Sequence, residues 1–247
     1  MTADLSGSVT GAAGDDIISN FENLTGSNFA DILTGNGVAN VINAGAGNDI
    51  VNAGDGSNDG NDIFNGEADD DTLDYSNGSS GFVGGELSLT AGSAIKSSGD
   101  TDSFTGFENI ILSTGNDTIS INTDSVSALS SVDGAAGNDH IDFTGANTLT
   151  GNGIDGADLA GLFSDIEELD FTATDLTGAD TFDIGDDEIS SITGGGDDLT
   201  IFVDTATIAL TDFTFLEQSG SVISDVNDGS SRVVDYDNGT QVTVQSA

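Results

Sequence analysis

The stretch Gly26–Asp74 consists of five nine-residue units that follow one another with a single interruption. They read GSNFADILT, GNGVANVIN, AGAGNDIVN, AGDGS–DIFN with NDGN inserted, and GEADDDTLD. The eighth position of every unit is apolar, and the sixth carries a carboxylate or an amide. The sixth-position residues are Asp31, Asn40, Asp49, Asp62 and Asp71. So short a period indicates units that stack on one another, because one unit alone cannot bury its apolar face.

Each unit combines a glycine-rich turn with a short strand. Glycine adopts backbone conformations that a Cβ would block, so such a turn can direct its carbonyl oxygens inward. The sixth-position aspartate adds a hard anionic oxygen, and calcium accepts about six to eight oxygen ligands. The eighth-position residue is expected to point into a shared interior, because side chains alternate along a strand. Metal binding and burial of the apolar residues would then be coupled.

The units resemble the nonapeptides of the RTX family, whose pattern is G-G-x-G-x-D-x-U-x. Outlying copies are Gly11–Ser19, GAAGDDIIS, and Gly134–Asp142, GAAGNDHID. The chain is also similar to connecting segments of secreted RTX adhesins and surface proteins, in which DTLDYS leads to a GFENI…GNDTI restart. Those motifs lie here at Asp71–Ser76 and Gly106–Ile119.

The resemblance implies an all-β fold: a right-handed parallel β-roll, or β-solenoid, with calcium-binding turns and two nonapeptides in each coil. Units two apart would stack on the same side. Asp31, Asp49 and Asp71 would then line one edge of the roll, and Asn40 and Asp62 would line the other.

Some units depart from the family pattern. Asn40 brings no charge, and Asp69 replaces a turn glycine. We nevertheless expect several calcium ions to bind. The candidate metal-site residues are Asp16, Asp31, Asp49, Asp62, Asp71, Asp117, Asp139, Gly14, Gly45, Gly47, Gly54, Gly56 and Gly137.

The charge of the chain restricts its partners. It carries 44 acidic residues against Lys96 and Arg232, a net charge of −42. This self-repulsion opposes compaction unless counter-ions bind. Nucleic acid is excluded as a partner because no basic patch can meet phosphate. The acidic surface of a halophilic protein would explain part of the charge, but it does not predict a nine-residue period.

The sequence changes character near residue 158. We predict an RTX-like calcium-binding roll over residues 1–157, with a connector at about 75–105. A less regular C-terminal β region, residues 158–247, would serve as an assembly cap or a secretion signal. The motif around Glu22 recurs around Glu108 and Glu167, which indicates restarts of a longer repeat.

The C-terminal region contains alternating apolar residues, which are typical of half-buried strands. Asp237–Thr240, DNGT, predicts a hairpin turn between two of them. The alternating pairs are Ile201/Val203, Ile208/Leu210, Phe213/Phe215, Val234/Tyr236 and Val242/Val244. They fit an antiparallel sheet or wider coils of the same solenoid. The predicted helix is Asp155–Phe163, with an aspartate cap.

We expect no enzymatic activity. The motifs H-E-x-x-H and G-x-S-x-G are absent, and His140, the single histidine, is expected on a strand facing solvent. Met1–Ser6 has neither the basic nor the apolar region that begins a classical signal peptide. The resemblance implies leaderless type I secretion and folding outside the cell, where calcium is millimolar.

The leading prediction is a secreted calcium-binding solenoid that self-assembles head to tail into an extracellular filament, surface layer or biofilm matrix. Open sheet ends expose unpaired strand groups, and heterologous contacts generate filaments. Thr2–Thr10, which has no evident partner in its own chain, would complete a neighbour's sheet or pair with the neighbour's C-terminal hairpin Val233–Val244. No apolar run is long enough for membrane insertion. Cell-surface polysaccharide is a candidate partner through calcium. The alternatives are a monomeric calcium-binding RTX module of an adhesin and a carbohydrate-active β-helix.

Overall fold

A computed structural model describes the following residues: 1–5, 7–11, 14–18, 20–54, 60–78, 81–88, 91–122, 128–144, 156–172, 182–195, 198–203, 213–216, 222–227 and 231–246. The fold is all-β with largely parallel sheets and two short helices, which confirms the predicted class. Two compact units are present. Unit 1 is Met1–Ile119 with Ser127–Gly137, and unit 2 is Ser120–Val126 with Asn138–Ala247.

A search of the described helices for one long and apolar enough to cross a membrane finds none.

Short strands make up unit 1. They are β1 (Thr2–Asp4), β2 (Ser8–Gly11), β3 (Gly14–Ile17), β4 (Asn23–Thr25), β5 (Ile32–Thr34), β6 (Val41–Ala46), β7 (Ile50–Asn52), β8 (Ile63–Ala68), β9 (Thr72–Asp74), β10 (Phe82–Leu87), β11 (Gly92–Lys96), β12 (Thr101–Thr105), β13 (Asn109–Ile111), the first two residues of β14 (Thr118–Asn122), and β15 (Ser131–Asp133).

Consecutive strands from β4 to β9 alternate between two sheets. Strands β5, β7, β9, β13 and β15 run parallel in one sheet, and β4, β6, β8 and β12 run parallel in the other. Leu33 therefore pairs with Val51, and Ile42 with Phe64, so equivalent units are neighbours. The five eighth-position residues have no exposed surface, as the period predicts: Leu33, Ile42, Val51, Phe64 and Leu73.

The N-terminal segment has partners within its own chain. Strand β1 runs parallel to β5, with Ala3 opposite Leu33, and antiparallel to β2. Ala3 and Leu5 are buried, because the small Ala3 continues the row of apolar residues in this sheet. The expectation that Thr2–Thr10 needs a neighbouring molecule to pair with was therefore wrong.

The connector forms an antiparallel meander. Strands β10, β11 and β12 pair in sequence, and β12 then runs parallel to β8 with Phe104 opposite Phe64. The ring of Tyr75 packs edge-on against Phe64 and Phe82, with centroids 6.3 and 4.9 Å apart. The meander thus extends the sheet of β4, β6 and β8, whereas β9, the strand that precedes it, lies in the other sheet.

Unit 2 contains strands and both helices. Its elements are β16 (His140–Thr144), α1 (Gly156–Leu162), β17 (Phe163–Ser164), β18 (Glu168–Asp170), β19 (Phe182–Gly185), α2 (Asp186–Ile192), β20 (Asp198–Val203), β21 (Phe213–Leu216), β22 (Val222–Asn227), β23 (Ser231–Tyr236) and β24 (Gln241–Ser246). Strands β16, β18, β20 and β24 run parallel, whereas β22, β23 and β24 form an antiparallel meander. Strands β19 and β21 form a separate parallel pair.

Several predictions for the C-terminal region are confirmed. The apolar residues of β20, β23 and β24 are buried at alternate positions. The chain reverses between β23 and β24 through Asp237–Thr240, where Gly239 has a φ of 98°. Helix α1 coincides with the predicted helix, although its predicted cap Asp155 lies outside the described residues, as do Ile208 and Leu210.

Helix α2 was not predicted. Ile189 and Ile192 lie three residues apart and are fully buried. The helix is only seven residues long, so its apolar period is too short to distinguish it from a strand.

Candidate metal centre

One row of acidic residues runs along an edge of unit 1. We call Asp31, Asp49, Asp71 and Glu108 the first column. The backbone N–H of each of its aspartates donates to the next carboxylate: Asp31 to Asp49 Oδ1 at 2.7 Å, Asp49 to Asp71 Oδ1 at 2.8 Å, and Asp71 to Glu108 Oε2 at 2.9 Å. The three aspartates are at most 2% exposed. The expectation from the resemblance, that Asp31, Asp49 and Asp71 share one edge, agrees with this placement.

The strand register explains how the column forms. Each acid immediately precedes a strand and stands two residues before a fully buried apolar residue, as Asp49 does before Val51. Because the neighbouring strands are parallel and in register, aligning the apolar residues also aligns the acids. The carboxylates then take the N–H groups that turns would otherwise leave without partners.

Glycines permit the close approach of neighbouring turns. Gly45 and Gly47 have φ values of 114° and 112°. A Cβ on Gly45 would lie 2.2 Å from the Ser27 carbonyl oxygen, and one on Gly47 would lie 2.7 Å from the Ala30 nitrogen. Stacking the turns this closely therefore requires glycine at both positions.

The other predicted turn residues lie in different surroundings. Gly54 and Gly137 also have positive φ values, 106° and 150°. Gly14 and Asp16 lie in the antiparallel strand β3 instead of a turn, because this unit pairs with β2. Gly56 lies outside the described residues.

Asp69 occupies its glycine position without disrupting the turn. Its φ is 81°, within the left-handed region that aspartate tolerates better than most residues. Its carboxylate accepts the Gly47 N–H at 3.0 Å. This substitution therefore joins two stacked turns and brings another negative charge close to the first column.

The first column has the donor set that a hard cation requires. Asp49 Oδ2 and Asp71 Oδ2 are buried, and neither has a hydrogen-bond partner among the described residues. Burying such an oxygen costs free energy unless a hydrogen bond or a cation replaces the water it has lost. The donors available are carboxylate and backbone carbonyl oxygens, which suit calcium better than a soft transition metal. The residues present therefore fit a bound calcium ion.

The charge of the first column is compensated unevenly: the N-terminal ammonium of Met1 pairs with Asp31, whereas the pKa values of Asp49 and Asp71 are raised. The pKa of Asp71 is raised to about 7, chiefly by burial and also by the charges of Asp49, Glu108 and Asp69, although the hydrogen bond from the Asp49 N–H lowers it. Burial likewise raises the pKa of Asp49. The column thus favours binding of a proton or another cation at near-neutral pH.

A second column contains its own cation. It consists of Asn40, Asp62 and Asp102: the Asn40 N–H donates to Asp62 Oδ1 at 2.7 Å, and the Asp62 N–H to Asp102 Oδ1 at 3.0 Å. Lys96 Nζ lies 3.3 Å from Asp62 Oδ2, 3.0 Å from Asp102 Oδ1 and 3.3 Å from the Gly60 carbonyl oxygen. The two aspartates and the lysine are buried, so an ammonium group already lies beside the predicted ligand Asp62.

The remaining two predicted aspartates are buried in similar positions. Asp117 accepts the Phe82 N–H at 2.5 Å and the Ser113 hydroxyl at 2.9 Å. Burial raises the pKa of this carboxyl. In unit 2, the N–H of the buried Asp139 donates to Glu167 Oε2 at 2.8 Å. Neither residue belongs to the first or second column.

Sequence reasoning missed four residues in these arrangements: Asp102, Glu108, Glu167 and Lys96. The first three share the signal of an acid two residues before a buried apolar residue: Phe104, Ile110 and Leu169. They were not predicted as site residues because no glycine-rich turn precedes them at nonapeptide spacing. Lys96 has no pattern of its own and could be recognised only from the paired strands around it.

Comparisons of the chain with protein families, curated proteins and solved structures find only weak structural likenesses. No protein-family model matches the chain, and no curated protein matches it. Among solved structures, the extracellular lipase LipA from Serratia marcescens aligns with 89% of this chain at 14% identity and a TM-score of 0.28. The chain spans 37% of the length of that lipase. A likeness this distant supports no inference about activity.

We predict that calcium-free protein becomes less stable as the pH rises from about 4 to 7. The pKa of Asp71 is about 7 when folded, against an ordinary value of 3.8. The folded state therefore holds a proton that the unfolded chain releases in this range, and the effect levels off above pH 7. Circular dichroism in chelator should show a β signal that depends less steeply on pH for Asp71→Asn than for the parent. The exposed Asp198→Asn serves as control, and equal slopes for Asp71→Asn and the parent would contradict the prediction.

We predict that Lys96→Met lowers the free energy of unfolding by about 3–5 kcal/mol, because it leaves two buried carboxylates without their cation. Chemical denaturation in excess calcium measures the loss. Replacing Asp62 and Asp102 by asparagine in the same variant should restore most of the stability, since the stranded charges are then removed. A Lys96→Met variant as stable as the parent would show that the ion pairs contribute nothing.

Proposed function

We propose that the chain is a calcium-binding module of the RTX type, a right-handed parallel β-roll that folds when calcium binds. The observation that carries this proposal is the first column, with the buried, unpartnered oxygens of Asp49 and Asp71. The alternation of successive strands between two parallel sheets supports the β-roll. The regular stacking of glycine turns at the same edge supports calcium as the ligand.

Asp49 and Asp71 would hold calcium most directly, through their Oδ2 atoms, because their Oδ1 atoms already accept backbone N–H groups. Asp31 and turn carbonyl oxygens would contribute further ligands. Bound calcium would supply positive charge that lowers the repulsion among these carboxylates. The chain itself provides the rest, because its N–H ladder holds the carboxylates of Asp49 and Asp71 in a fixed orientation in the folded state.

Calcium binding would make folding depend on the surroundings of the protein. A ligand that binds only the folded state stabilises it by about 2.7 kcal/mol per site at a hundredfold excess over Kd. Extracellular calcium modules have Kd values of about 10⁻⁴–10⁻³ M. We therefore propose a secreted, non-enzymatic protein that is unfolded at low calcium and folds outside the cell.

Circular dichroism and calorimetry test the calcium proposal. The parent should show a largely disordered spectrum in chelator and a β spectrum in millimolar calcium. Asp49→Asn should bind at least one ion fewer, because Asp49 contacts both neighbouring members of the column. The matched control Asp198→Asn changes an exposed aspartate outside the columns and should behave as the parent. A full β spectrum in chelator, or unchanged stoichiometry in Asp49→Asn, would refute the proposal.

We further propose that folded copies assemble head to tail through sheet edges. Strand β4 is an edge strand, paired only with β6 among the described strands. Glu22 and Gly26 hydrogen-bond toward β6, so by alternation the backbone groups of Asn23 and Thr25 face away from it. In unit 2, β22 is likewise an edge strand. Such edges can accept a strand from another molecule, and head-to-tail contacts produce filaments or layers.

Light scattering and electron microscopy in millimolar calcium test assembly. Thr25→Pro removes an outward N–H while leaving the hydrogen bonds to β6, and proline is tolerated at such edge positions. It should abolish assembly and leave calcium-induced folding intact, whereas Thr25→Ser should assemble as the parent does. A parent that stays monomeric at high concentration would favour the monomeric adhesin module. Assembly of Thr25→Pro would place the interface elsewhere.

A further inference from the structure

Four polar side chains form a square on the outer face of the unit 2 sheet. Strands β16 and β18 are parallel, which places His140 opposite Glu168 and Asp142 opposite Asp170. The intervening Ile141 and Leu169 are fully buried. Since side chains alternate along a strand, the four polar residues share the opposite, partly exposed face.

The imidazole of His140 is held between carboxylates in a defined orientation. Its Nδ1 lies 2.9 Å from Glu168 Oε2. Its Nε2 lies 2.9 Å from Asp142 Oδ1 and 3.9 Å from Asp170 Oδ2. If Nδ1–H donates to Glu168, the Nε2 lone pair faces the other two carboxylates. A carboxylate behind the histidine is the arrangement that orients metal-binding imidazoles.

The distances within this cluster suit a small metal ion. With metal–ligand bonds of about 2.0–2.1 Å, two ligands of a tetrahedral ion lie about 3.4 Å apart. The separations of Nε2 from the two aspartate oxygens, 2.9 and 3.9 Å, bracket this value. The three ligand atoms can all lie within 4.8 Å of one another. Small side-chain adjustments would therefore complete a three-ligand site.

We propose that His140, Asp142 and Asp170 bind a borderline divalent transition-metal ion such as Zn²⁺, with Glu168 positioning the imidazole. A nitrogen donor with two carboxylates favours such an ion over calcium, which prefers oxygen ligands alone. The partial exposure of all four side chains leaves a coordination position open to solvent. The site is separate from the first column, which offers oxygen donors only.

The surroundings of the cluster favour a cation there. Three carboxylates surround one imidazole, and the basic residues Lys96 and Arg232 both lie outside β16, β18 and β20. The ring of Phe202 on the neighbouring strand β20 lies beside the imidazole, with centroids 5.8 Å apart. This ring restricts the imidazole on one side and so reduces the conformational freedom that metal binding would have to remove.

Zinc titration of the full chain in excess calcium tests the proposal. Excess calcium keeps the protein folded and occupies the oxygen-only sites. Calorimetry should find one zinc ion that His140→Gln weakens by more than about 100-fold, whereas Glu168→Gln weakens it about 10- to 100-fold, as expected for an outer partner. Asp198→Asn, an exposed carboxylate outside the cluster, should leave the affinity unchanged.

The single histidine provides an independent spectroscopic readout. In protein labelled with ¹⁵N-histidine, zinc should shift the Nε2 resonance strongly and leave Nδ1 protonated. Circular dichroism in calcium establishes that each variant is folded. Equal zinc affinity in the parent and His140→Gln, or an unshifted imidazole at zinc saturation, would overturn the proposal. Those results would identify the cluster as an ion-paired imidazolium.

Discussion

The bond between a buried carboxylate and the backbone N–H of the equivalent residue in the neighbouring unit is the interaction on which the first column depends. It fixes the register, because the acid and the buried apolar residue are two positions apart in every member. It also satisfies donors that the turns would otherwise leave buried without acceptors. The consequence is a row of negative charges stacked a strand's width apart, which repel one another unless a cation is present.

The protein deals with this repulsion differently in its two columns. In the second column the ammonium group of Lys96 lies between Asp62 and Asp102. In the first column the N-terminal ammonium of Met1 pairs with Asp31, but Asp49 Oδ2 and Asp71 Oδ2 are buried without a hydrogen-bond partner among the described residues, and the Asp71 pKa is elevated. A bound external ion is the simplest source of positive charge for these carboxylates. The calcium proposal rests on this difference between the two columns.

The sequence predicted the regular part of the structure because period and chemistry coincide there. The nine-residue phase identified the buried residues, and the resemblance to stacked RTX units placed Asp31, Asp49 and Asp71 on one edge. The nine-residue period does not predict contacts that span other distances along the chain. Asp102 and Glu108, for example, contact residues 40 and 37 positions earlier. The period also failed to predict β1, because Ala3 is too small to mark a core strand in a polar segment.

The hairpin of β11 and β12 gives Lys96 a property that no dissolved ion has. A tethered group has an effective concentration set by the chain that carries it, whereas the occupancy of an ion site follows the composition of the surrounding solution. A chelator can withdraw a metal but cannot withdraw a side chain. As long as the chain is folded, the junction between the meander and the parallel strands of unit 1 therefore keeps its counter-charge, whatever ions the solution contains.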